Sequence, residues 1–123
     1  MYYEDLSPYD YGMTKYKNAL NIGWLDRGRF FFEGDFPEKE EVLRKLNAKE
    51  IENRYRGFHG CPFCDPYEKK DNSTWIIKDR NGNGEYIVHG NGKTYAAPTL
   101  VTHYIEAHNY LPPKEFIDAV INE

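Results

Sequence analysis

The sequence predicts an α+β fold: a small antiparallel sheet with two to three helices, stabilised by zinc. Three observations point there. Short runs rich in β-branched and aromatic residues are separated by Asn-Gly turns, the signature of hairpins. Stretches with apolar residues three and four apart follow prolines, as amphipathic helices do. Finally, Cys61-Pro62-Phe63-Cys64 is answered downstream by His103-x4-His108, a donor set suited to a tetrahedral cation.

Taken in order, residues 1–17 are Tyr-rich and irregular, with Ser7-Pro8 as a turn signal. Residues 18–25 alternate near Leu20 and Ile22 and fit a strand leading into a turn at Asp26-Arg27-Gly28. Phe30-Phe31-Phe32 reads as a second short strand. Pro37, followed by Glu38, Glu40 and Glu41, makes a good first helical turn, because the acids face the positive end of the helix dipole. Val42, Leu43 and Leu46 continue it, so a helix is expected over 37–47, with Ala48 and Ile51 as an extension.

Residues 52–72 hold Gly57, Gly60, Pro62 and Pro66 and are expected to be irregular. Strands are expected at Thr74–Lys78, Glu85–His89 and Lys93–Ala96, joined by Asn81-Gly82-Asn83-Gly84 and by Gly90-Asn91-Gly92. Pro98 is expected to open a helix reaching His108, with Asn109 as a left-handed cap. Pro112-Pro113 stops it, and Phe116, Ile117, Val120 and Ile121 form the apolar face of a last helix.

At 123 residues the chain has the size of one domain, 1–123, with residues 57–111 as a zinc-binding module inside it. That length buries a real core, so metal need not be the sole source of stability. With 11 Tyr and 7 Phe, rings are expected mostly in the core, and some on a binding surface. No run of about 18 apolar residues exists to span a membrane. The acidic start Met1-Tyr2-Tyr3-Glu4-Asp5 lacks the apolar segment of a signal peptide. A cytoplasmic location is therefore expected, where reduced thiolates are available to a metal.

The two cysteines are the only ones in the chain, and two of its four histidines fall on one helix. A C-x2-C turn places both sulfurs on one side of a tight loop, and Pro62 stiffens it. Two thiolates and two neutral imidazoles neutralise Zn2+, so the ion is tolerated in a low-dielectric interior. His103 and His108 lie five apart, about 140° around an ideal helix, which is workable when His108 sits at a distorted last turn. The expected site is a structural Cys2His2 zinc held by Cys61, Cys64, His103 and His108. His59 is a competing ligand, and His89 reads as a surface or structural residue. The opposing reading is two buried thiols and two ordinary histidines.

The pairs are separated by 103 − 64 − 1 = 38 residues, far longer than in a DNA-reading finger. Knuckle, strands and helix give a treble-clef-like or ββα-like order. Cys-Pro-Phe-Cys also resembles a glutaredoxin active site, but that motif follows an apolar strand and opens a helix, whereas Gly60 precedes this one and Asp65-Pro66 follows it. A zinc hydrolase with Glu106 as general base is the enzymatic alternative; His-x2-Glu-x-His matches neither common zinc-protease pattern. A nucleic-acid role would use Arg54, Arg56, Lys69 and Lys70, with tyrosines for stacking. The net charge of −4 weakens the counterion-release term.

Several stretches resemble a family of small bacterial proteins of unknown function. They are Asn21-Ile22-Gly23-Trp24-Leu25, Arg56-Gly57-Phe58-His59-x-Cys61-x-Phe63-Cys64, Tyr95-Ala96-Ala97-Pro98 and His103-Tyr104-Ile105-x2-His108-x-Tyr110-x-Pro112-Pro113-x-Glu115-Phe116-Ile117. The resemblance spans residues 18–121. It implies a compact bacterial cytosolic protein with zinc on the Cys and His pairs, and it brings no activity or substrate. The expected role is a non-enzymatic protein-interaction factor of immunity, antitoxin-like or accessory type, with an unidentified protein partner.

Overall fold

The computed structural model describes residues 2–9, 19–52, 61–63, 67–70, 74–77 and 84–123. The elements run β1 (Ala19–Asn21), α1 (Lys39–Asn47), β2 (Tyr67–Lys70), β3 (Thr74–Ile77), β4 (Glu85–Gly90), β5 (Lys93–Pro98), α2 (Val101–Ala107) and α3 (Lys114–Asn122). The α+β class stands. A three-stranded sheet has the order β1-β5-β4, and β2 pairs with β3.

β4 and β5 form the expected hairpin, registered from Glu85↔Pro98 to Gly90↔Lys93. Its turn holds Asn91 at φ +55° and Gly92 at φ +70°, the two left-handed residues of a type I′ turn, whose twist matches the strands. The sheet is mixed rather than purely antiparallel, because β1 joins β5 in parallel, Ala19↔Thr94 through Asn21↔Ala96. The long crossover that parallel pairing requires is supplied by the whole stretch from α1 to β4.

Four expectations are corrected. The stretch 52–72 contains β2, and β3 pairs with it, Tyr67↔Ile77 through Lys70↔Thr74. Tyr67-Glu68-Lys69-Lys70 lacks apolar alternation, so its pairing rests on backbone bonds that leave no periodic trace. Phe30-Phe31-Phe32 is not a strand: Phe30 and Phe32 are 74% and 64% exposed, and Phe31 alone of the three packs on the core. The first strand is shorter than 18–25, because Gly23 at φ +75° turns the chain. Pro98 closes β5 instead of opening α2; at a strand end its missing N–H costs no ladder bond. The linking residues 81–83 lie outside the described residues.

Side chains alternate as a pleated strand requires. Tyr86, Val88, Tyr95 and Ala97 face the helices, meeting Val42 and Leu46 of α1, Val101, Tyr104 and Ile105 of α2, and Phe116 and Val120 of α3. Ile87 and Ala96 point the other way and pack with Tyr9, Ala19 and Trp24. The N-terminal segment 2–9 flanks β1: Leu6 N–H donates to the Asn21 carbonyl at 2.7 Å, Asn21 N–H to Ser7 at 2.8 Å and Tyr9 N–H to Ala19 at 2.8 Å. Tyr9 O–H donates to the buried Glu85 carboxylate at 2.8 Å. This part of the Tyr-rich terminus is thus packed. At the opposite edge Glu52 and Glu85 exchange two backbone bonds of 2.8 Å.

The third helix lies on β4 at a point of close approach. A Cβ on Gly90 would come within 2.6 Å of Ala119 Cβ and 2.9 Å of Ala119 Cα. Lys45 Nζ donates to the Ile121 carbonyl at 2.6 Å, placing a cation at the negative end of α3. At the other end Glu115 accepts from Tyr95 O–H at 2.8 Å and from Lys93 Nζ at 3.1 Å.

Two tests follow from this packing. Gly90→Ala is expected to cost about 1–3 kcal/mol as overpacking, read as a lower urea midpoint at unchanged slope. Ala119→Gly in the same chain is expected to restore part of it. A Gly90→Ala protein as stable as wild type would contradict the close approach. The Tyr95 O–H bond, aided by Lys93, holds the Glu115 carboxyl below its ordinary value. A lowered carboxylate stabilises above its unfolded pKa, about 4.3, and that stabilisation is lost as pH falls through the folded value. Glu115→Gln is therefore expected to be less stable than wild type at pH 7, with the gap closing in acid; a pH-independent gap would contradict the assignment.

Candidate metal centre

Helix α2 is placed by its buried residues Val101, Tyr104 and Ile105, the i, i+3, i+4 stripe that packs a short helix on a core. His103 lies beside that stripe, half-buried. The helix ends at Ala107, and His108 leaves helical geometry with φ −120° and ψ 14°. Asn109 follows in the left-handed region at φ +58°, where Asn is tolerated. The N–H groups of His108 and Tyr110 both donate to the Tyr104 carbonyl, at 3.0 and 3.1 Å. This ending removes the angular offset of an ideal helix. The two imidazoles stand 84° to each other with centroids 4.9 Å apart, and their Nε2 atoms are 3.2 Å apart.

Cys61 reaches the same place from the turn 61–63. It is buried, and its Sγ lies 3.3 Å from His108 Nε2. Phe63 fixes the turn by packing against His108 at 5.2 Å, Phe31 at 5.5 Å and Tyr104 at 6.0 Å between centroids. Arg27 Nε donates to the Pro62 carbonyl.

The ligand atoms of Cys61, His103 and His108 all lie within 4.8 Å of one another, close enough to bind one metal ion. Tetrahedral zinc, with Zn–S of about 2.3 Å and Zn–N of about 2.0–2.1 Å, sets S···N near 3.5 Å and N···N near 3.3 Å. The two edges meeting at His108 Nε2, 3.3 and 3.2 Å, are near those values. Both histidines face the cluster through Nε2, so the proton of each neutral ring would sit on Nδ1.

Other expected residues stand elsewhere. Cys64 and His59 lie outside the described residues, as do Arg54 and Arg56. His89 is exposed on β4, its Nδ1 3.2 Å from Thr94 Oγ1, in keeping with a surface role. Glu106 is exposed on α2 and is not part of the ligand group.

Residues to which the sequence assigned no site role lie behind the ligand group. Tyr110, fully buried, donates its O–H to Asp5 Oδ2 at 2.8 Å, and Gly23 N–H donates to Asp5 Oδ1 at 2.9 Å. Burial pushes the Asp5 carboxyl up, against the lowering by those two donors. Burial, and then the Asp5 charge, push the Tyr110 phenol well above its ordinary value. These contacts join segments far apart in the chain, so no local spacing announces them. For Tyr110 one signal existed: it is an aromatic residue immediately after the helix-ending Asn109.

A probable glucan 1,3-alpha-glucosidase of Arabidopsis thaliana is 28% identical to the chain over 99 residues, covering 75% of the chain and 10% of that protein. The chain thus spans about a tenth of the length of the curated relative it matches. No solved structure matches it. A family model covers nearly the whole chain, from the N-terminal segment on β1 through α3. By that match to residues 1–121, the chain belongs to the family described as a domain of unknown function, DUF7919.

Proposed function

We propose that the chain is a zinc-binding protein-interaction factor, with Zn2+ held in a structural site by Cys61, Cys64, His103 and His108. The observation that carries this is the convergence of Cys61, His103 and His108 on one point. A ring nitrogen offers one in-plane lone pair or one N–H, yet His108 Nε2 sits within 3.3 Å of a sulfur and 3.2 Å of a second ring nitrogen. A shared cation satisfies all three lone pairs at once. Cys64, three residues after Cys61 in the sequence, is the fourth ligand of this reading, and a second thiolate would bring the site to neutrality.

Four protein ligands leave no open position for water, which favours a structural over a hydrolytic metal. The exposed, outlying Glu106 agrees with that. The glucosidase relative is matched over 10% of its length, too little to carry its activity to this chain. An interaction role is supported by the solvent-exposed rings of Phe30 and Phe32, stacked edge-on at 5.0 Å; exposed apolar pairs of this kind suit a protein partner. The negative net charge disfavours nucleic acid. A reducing cytosol would keep both thiols available. No described helix is long and apolar enough to cross a membrane.

Elemental analysis of the purified full chain tests the reading. About one zinc per chain is expected in wild type, with most of it lost in Cys61→Ser, Cys64→Ser and His108→Ala; wild type without metal would overturn the proposal. Glu106→Gln is expected to keep both zinc and fold. Since the thiols and imidazoles must be deprotonated to bind, zinc retention is expected to fall as pH falls, and retention unchanged down to pH 4 would contradict this ligand set.

A further inference from the structure

Residues 26–34 form a loop attached to two short segments beside the metal centre, and its Arg29 also lies over the Tyr2 ring at 5.1 Å. Arg27 Nε donates to the Pro62 carbonyl. Phe31 packs on Phe63 at 5.5 Å and on Tyr110 at 6.2 Å. Leu111 N–H donates to the Phe32 carbonyl at 2.9 Å, and Gly34 N–H to the Asn109 carbonyl at 3.0 Å. Glu33 and Tyr110 form an isolated bridge. Apart from Tyr2, every one of these partners lies within three residues of Cys61 or His108. The same loop carries Phe30 and Phe32, 74% and 64% exposed.

We infer that the metal centre clamps this loop, so that metal occupancy sets whether Phe30 and Phe32 are held as a fixed surface pair. The inference rests on the zinc reading above and adds regulation to it. A metal joining Cys61 to His108 pins turn 61–63 against segment 108–111, and the loop bridges those two pieces. Removing the ion unlinks turn 61–63 from His108 and loosens the Arg27 and Phe31 contacts to that turn, while segment 109–111 keeps its own hold through buried Tyr110 and leaves the loop supported from one side. The sheet does not depend on it: β4 and β5 are held by their own ladder and by Phe116, Val120, Val42 and Leu46. The loop is thus a locally opening unit, distinct from the core. Because coupling is reciprocal, the loop's contacts must tighten metal binding by the factor by which metal protects the loop.

Hydrogen exchange of the full chain, with zinc content assayed in the same samples, tests this. Chelation is expected to speed exchange of the Gly34 and Leu111 amides by roughly 5–150-fold, the usual range of coupling between sites. Amides of 85–98 are expected to stay protected. Phe31→Ala is expected to bind one zinc at saturation, to lose it to a competing chelator more readily by a similar factor, and to show fast loop exchange with or without metal. A wild type without zinc overturns the zinc reading and this inference with it. Zinc present but loop exchange unchanged on chelation overturns the clamp alone. Loop and sheet exchanging in step would also overturn it, making the ion a staple for the whole fold.

Discussion

The reversal at the end of α2 places a left-handed Asn109 directly after His108, and much of the surrounding structure hangs on it. A helix continued past that point would carry His108 away from His103. Ending it there brings the two Nε2 atoms to 3.2 Å. The same reversal sends Tyr110 into the core, where its hydroxyl donates to Asp5. It also lays Leu111 beside Phe32. One backbone conformation, which costs most residues roughly 1–2 kcal/mol and which Asn tolerates better, thereby organises a histidine pair, a buried hydrogen bond and the support of an exposed loop.

The sheet gives this corner a rigid base. β5 is central, with β1 and β4 on its sides, and both sheet faces are covered: one by the helices, the other by Tyr9, Trp24 and Tyr3. Covering both faces explains why so many rings are buried. It also explains why a three-stranded sheet with three-residue β1 forms at all, since each strand gains packing on two sides. Metal would add to a core that already exists, at a site on its rim.

Much of this was legible in the sequence where the signal is local. Asn91-Gly92 announced the hairpin because a type I′ turn needs two left-handed residues. The spacing of Val42 and Leu46, and of Phe116 and Val120, announced helix faces. Cys61, His103 and His108 were legible by ligand chemistry, and Asn109 marked the break that makes their spacing workable. What stayed hidden is tertiary. The parallel pairing of β1 with β5 leaves no pattern in three residues. β2 is too polar to show alternation. Phe30-Phe31-Phe32 reads as a strand by propensity, yet only Phe31 finds a pocket, and its neighbours turn to solvent. Arg27 and Asp5 meet the site through contacts dozens of residues away in sequence, beyond the reach of any spacing argument.

The zinc ion we propose is bound by two sulfurs and two imidazole nitrogens. X-ray absorption at the zinc edge on the purified, untagged chain reads that donor set. About two sulfur neighbours near 2.3 Å and about two nitrogen neighbours near 2.0–2.1 Å are expected, with imidazole multiple scattering. A shell of oxygen and nitrogen alone, or a chain that binds no zinc, would contradict it.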